Sequence, residues 1–206
     1  MLDFKKQDKE LYQPKTTPSI VDVPEMRFIV VNGKGDPNAE AFQTATELLF
    51  GLSYGIKMSH KAIMEYVVPP LEGLWWTSGH DISDKSRFEW SIMLRQPDFV
   101  TAEVFAAAIA ALARKKPHLD PSAARFATFT EGLCVQAMHH GAYDKEAETI
   151  NTLEAYAKES GYVFDIADGS IKTLSRRHHE IYLSDPRKTA PEKLKTVIRY
   201  PIKENA

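Results

Sequence analysis

Cysteine is nearly absent: Cys134 is the only one in 206 residues, which excludes an internal disulfide and a thiolate metal cluster and fits a reducing compartment. Set in the apolar stretch GLCVQAM, it is expected to be a buried, inert thiol. No long apolar run is present either. The opening stretch MLDFKKQDKELYQPKTTPSIVDVPE mixes acids with bases and has no apolar signal-peptide core, so neither a signal peptide nor a membrane span is expected. Charge of one sign is also missing: 26 Lys and Arg against 28 Asp and Glu leave a net charge of -2, too small a field to gather nucleic acid or an anionic membrane. The seven His show no HExxH or Cys/His spacing, and NGKGD (32–36) lacks the GxGxxG and GKS/T patterns and is expected to be a turn. These absences predict a cytoplasmic protein with no metal, no cofactor and no direct nucleic-acid or membrane contact.

What is present is patterning. With 43% hydrophobic residues the chain can bury one core. MRFIVVNGKG (26–35) predicts a buried strand and a turn. A helix follows, with Asp36 as N-cap, Pro37 in its first turn, and Phe42, Ala45, Leu49, Leu52 and Ile56 as its apolar stripe. EYVVPPLEGLWWT and RFEWSIMLRQPDF predict two strands around the polar loop SGHDISDKS. A helix over 101–115 then acts as a connector. The order begins again with β structure in ARFATFTEGLCVQAMHHGAY, turning near Glu131 and Gly132. Next comes a helix capped by Asp144 and stopped by Gly161, and then two strands in RRHHEIYLS and LKTVIRYPI.

The repeated order predicts an α+β fold of duplicated strand-helix-strand-strand repeats, over about 20–100 and 123–203, in a single domain preceded by an arm at 1–19. The expected architecture is a pseudo-twofold antiparallel sheet with helices on one face and a concave ligand cleft.

Strand alternation divides RRHHEIYL. His178, Glu180 and Tyr182 share one side; His179, Ile181 and Leu183 share the other. The apolar pair is expected under the helices, leaving Glu180 on the open face. Matching the two repeats places Trp76 on the Glu180 face and Trp75 on the opposite one, while Trp90 shares parity with Phe88, Ile92 and Leu94 and is expected in the core. A carboxylate, a phenol, an imidazole and an indole on one face make an aromatic-walled pocket with one strong acceptor. Against this stands the plainer reading of a solvated glutamate and core tryptophans.

Together, EGLCVQAMHHGAYDKE and RRHHEIYLSDPRKTAPEKLKTVIRYPI resemble the GyrI-like small-molecule-binding family, and LFGLSYGIK and PLEGLWW resemble its stand-alone branch. The likeness covers about residues 20–203. It implies a cleft glutamate at Glu180 that meets planar, cationic or amphipathic ligands. It also implies, by similarity to stand-alone members, hydrolysis of the strained ring of cyclopropanoid DNA-alkylating toxins. On that basis Glu180 is expected to be a general base with a raised pKa, with Tyr182 or His178 donating to the substrate carbonyl. Trp76, Trp75, Gln136, Met138 and Tyr143 are expected ligand contacts. Non-catalytic sequestration of drugs and a gyrase-inhibitor-like protein contact are the alternatives, with a monomer or weak dimer as the state. Ala142 departs from the proline common in relatives before the position of Tyr143.

Overall fold

The computed structural model of the chain describes residues 1–77, 84–167 and 174–205; the first six residues of the SGHDISDKS loop, 78–83, lie outside them. Two short helices, α1 (Phe4–Gln7) and α2 (Lys9–Tyr12), precede β1 (Ser19–Lys34), α3 (Glu40–Ser59), β2 (Glu72–Thr77) and β3 (Phe88–Gln96). The connector α4 (Ala102–Lys115) leads to β4 (Ala124–His140), α5 (Glu146–Glu159), the short β5 (Tyr162–Phe164), β6 (His178–Tyr182) and β7 (Lys195–Glu204).

Among the described residues the named strands all pair antiparallel, in the order β4-β1-β3-β2-β6-β7-β5, and β7 also pairs with β4. That last pairing closes six strands into a ring. The ring obeys the duplication: β1 meets its counterpart β4 across one seam and β2 meets its counterpart β6 across the other. The α+β class with duplicated units is therefore as the sequence predicts, while closure into a barrel goes beyond the open sheet that was expected.

Closure changes what "inside" means. The inner face carries Val21, Val23, Met26, Phe28, Leu74, Ile181 and Val197, capped by Phe4, Leu11 and Tyr12 of the arm. Outside, α3 and α4 cover Ile29, Val31, Trp90, Ile92 and Leu94, and α5 covers Val135, Ala137, Ile198 and Ile202. Ile181 and Leu183 thus join the inner core rather than lying under the helices, and Glu180 points to the helix side. Alternation fixed which residues share a face; it could not say which face was the interior.

Local chemistry sets several boundaries. Asp36 caps a turn by accepting from Asn38 N, and α3 starts later, at Glu40. The turn expected at Glu131 and Gly132 is a kink within one long strand: the β1–β4 ladder pairs Val23 with Gly132 and Glu25 with Thr130, skipping Pro24, which has no N–H to give. Gly132 takes φ 70° there. Gly33 is not part of a turn but lies in β1 opposite Trp90, where a Cβ would sit 2.1 Å from the indole. Only glycine admits that ring, and Trp90 is buried as parity predicts.

A buried polar network fastens the arm to the barrel. Tyr12 donates to Glu72 Oε1 at 3.0 Å, His179 lies 3.1 Å from Glu72 Oε2 and 3.0 Å from Glu131, and Arg199 pairs with Glu131 at 3.0 Å while donating to Leu11 O. The flanking carboxylates, foremost Glu131, outweigh burial and lift His179 to about 9. Burial alone would raise Glu131, but His179 and Arg199 beside it hold it at about 2. Two carboxyls, an imidazole and a guanidinium are thus buried in mutual contact, which is the condition for tolerating charge there.

Candidate functional site

The outer face left between α3 and α5 is a trough of about 3160 Å³. That exceeds the roughly 300–1,000 Å³ of a pocket built for one drug-sized ligand. Phe42 of α3 and the Val68–Leu71 segment flank one side, and Tyr143, Glu146 and Ile150 the other, with β2, β6 and β7 as its floor.

Glu180 stands on that floor between Gly73 of β2 and Ile198 of β7. His178 Nε2 lies 2.7 Å from its Oε1, and Tyr182 Oη donates to its Oε2 at 2.7 Å, as residues two apart on one strand face can. Trp75 Nε1 donates to Tyr182 Oη at 2.8 Å. The phenol's one proton is therefore committed to Glu180, and the expected donation from Tyr182 to a substrate carbonyl is not available in this arrangement.

Glu146, the first residue of α5, is a member of the site that sequence reasoning missed. It is buried, its Oε1 has no hydrogen-bond partner among the described residues, and it lies against Glu180. Burial, followed by the neighbouring Glu180 charge, raises its pKa to about 10. Glu180 moves the other way: burial works against its charge, but hydrogen bonds from His178, Tyr182 and Glu146 hold it below the ordinary carboxylate value. The raised pKa expected at Glu180 thus belongs to Glu146. Two adjacent carboxyls in a poorly solvated site cannot both ionise easily, so one proton is shared and sits on the partner with fewer donors.

The remaining expected residues divide. Tyr143 lies in the trough, its ring 5.8 Å from that of Tyr182 in an edge-on arrangement, and burial raises its pKa to about 12. Trp75, not Trp76, shares the face of Glu180; it is stacked on Phe42 with ring centroids 5.7 Å apart. Trp76 points to the other side of β2 at the trough's rim, with the Arg177 guanidinium 4.1 Å from its ring. Gln136 and Met138, expected as ligand contacts, do not line the trough: both project inward from β4. Gln136 donates to Glu10 O and accepts from Arg199, and Met138 packs in the inner core beside the arm.

Donor atoms of Glu146, His178 and Glu180 lie within 4.8 Å of one another, a set of two carboxyls and an imidazole that is the candidate for holding a cation. Both Glu180 oxygens already accept hydrogen bonds, from His178 and Tyr182, which an ion would have to displace, whereas Glu146 Oε1 has no partner among the described residues. Among the described residues, no helix is long and apolar enough to cross a membrane.

A family model described as the GyrI-like small molecule binding domain matches residues 16–203. An uncharacterised conserved protein from Listeria innocua is 43% identical, with a TM-score of 0.91 over 98% of this chain and 100% of that one. A Listeria innocua protein described as a hydrolase is 41% identical, with a TM-score of 0.88 over 98% and 100%. The C-terminal domain of EcmrR, 11% identical with a TM-score of 0.58 over 92% and 98%, shares the fold. No curated protein matches the chain.

Proposed function

We propose that this chain, which belongs to the GyrI-like small-molecule-binding family, is a hydrolase that opens the strained electrophilic ring of planar, cyclopropanoid-type toxins. The observation that carries the reading is the unequal pair of adjacent carboxyls in the trough: Glu180 on its floor, held below the ordinary carboxylate value by His178, Tyr182 and Glu146, and the buried Glu146 at the start of α5, whose pKa is raised. An acid and a base side by side are what addition of water across a polarised ring requires. The hydrolase description of a 41% identical relative supports it.

In the proposed reaction Glu180 removes a proton from water as the water oxygen bonds to the ring carbon. The ring C–C bond breaks, and its electron pair moves through the conjugated system to the carbonyl oxygen. Glu146 protonates that oxygen, leaving Glu180 neutral and Glu146 charged; transfer of the proton between them restores the pair. His178 and Tyr182 keep Glu180 ionised and oriented. Tyr143, Tyr182 and Tyr200 supply aromatic surface, with Trp76 at the rim. Acid-base assistance of this kind gives about 10²–10⁴-fold in rate.

A second reading draws on the same ionised Glu180 among tyrosines: capture of amphipathic cations without chemistry, with the carboxylate as counter-charge. Incubation with a cyclopropanoid separates the two. Ring-opened product formed catalytically, and lost in Glu180→Gln with binding retained, supports hydrolysis; stoichiometric capture without product supports sequestration. Both readings concern a cytoplasmic protein that protects against small molecules.

A further inference from the structure

Gly73 is directly opposite Glu180 in the β2–β6 pair. A side chain at that position would occupy the space beside the carboxylate. Its Cβ would lie 2.6 Å from Trp75 Nε1 and 3.2 Å from Tyr182 Oη, the first of these closer than unbonded atoms tolerate. The missing side chain is therefore what lets the indole N–H reach the phenol. Trp75 is also unsuited to be a ligand platform, since Phe42 is stacked on it at 5.7 Å and Phe88 meets it edge-on at 6.0 Å.

We propose that Trp75, admitted by Gly73, is a positioning residue: its N–H occupies a lone pair of Tyr182 Oη and so aims the hydroxyl proton at Glu180. A phenol without that partner rotates and divides its proton between Glu180 and water or ligand. With it, donation is polarised as well as directed; the indole bond lowers the phenol's pKa against a strong rise from burial and the Glu180 charge. The GLWW segment thus serves the carboxylate from the neighbouring strand. The proposal builds on Glu180 as the working carboxylate but needs no turnover to be tested.

The test follows Glu180 ionisation by carboxyl-labelled NMR in ligand-free protein. Titratable groups facing Glu180 are His178 and Tyr182 on its own strand, Glu146 at the start of α5, Tyr143 before it, and Tyr200 on β7; the same groups remain in every variant except Tyr182→Phe. Trp75→Phe keeps a ring and deletes the donor. Its Glu180 midpoint is expected to move upward, in the direction of Tyr182→Phe, and to move no further when the two changes are combined. Gly73→Ala is expected to shift the midpoint as Trp75→Phe does, and if it fails to fold Trp75→Phe carries the test. An unchanged midpoint in Trp75→Phe, or shifts that add fully, would overturn the proposal. Kinetics give a second readout: positioning lowers kcat at nearly constant KM, whereas a stacking platform raises KM. Absence of turnover in the parent protein would sink the hydrolase reading and leave the NMR result standing.

Discussion

Glu146 at the start of α5 and Glu180 in the middle of β6 share one proton, held on Glu146. Residues 34 positions apart meet because β6 pairs into the barrel beside β7, over which α5 packs.

Glu146→Gln keeps a neutral, hydrogen-bonding side chain but has no proton to release. It is expected to fold like the parent and to lose about 10²–10⁴-fold in rate if Glu146 is the acid. Steady-state kinetics beside a thermal melt measure both; unchanged kcat would remove Glu146 from the chemistry.

The rate should be bell-shaped in pH. The reaction needs Glu180 ionised and Glu146 protonated, so its acid limb lies below the ordinary carboxylate range and its alkaline limb near 10. Both limbs belong to the coupled pair. A pH-rate profile measures it, and an alkaline limb near 7 would contradict the assignment.

Stability has its own pH window. His179 is raised from 6.5 to about 9, so its contribution is complete below 6.5 and lost as pH rises through 9. Glu131 is lowered from 4.5 to about 2, so its contribution is complete above 4.5 and lost as pH falls through 2. Urea unfolding across pH should find these two contributions fullest between 4.5 and 6.5. Arg199→Met breaks the buried pair and is expected to cost about 3–5 kcal/mol.

Gly33→Ala puts a methyl into Trp90, with a Cβ 2.1 Å from its ring. The rigid indole must shift, so a loss of at least about 1–3 kcal/mol is expected, measured by chemical denaturation.

Much of this was legible in the sequence. The duplicated order, the core position of Trp90 and the grouping of His178 with Glu180 and Tyr182 follow from periodicity alone. What periodicity lacks is the handedness of a face. In a closed barrel the apolar side of β6 turns inward, so Gln136 and Met138 of β4 follow Cys134 inside. Trp75 and Trp76 exchanged places for a related reason, because matching the repeats by their ends did not fix their register. Glu146 was in plain view as the last residue of EGLCVQAMHHGAYDKE, yet an acid in a first helical turn reads as a partner of the helix dipole. Only burial, which is tertiary, distinguishes it from Glu148 two residues on, which is exposed.

The most direct measurement is product formation from a cyclopropanoid by the parent protein and by Glu180→Gln under excess substrate. Many ring-opened molecules per protein molecule from the parent, and binding without product from the variant, are expected. One equivalent captured with no product, or equal turnover by both proteins, would contradict a catalytic Glu180.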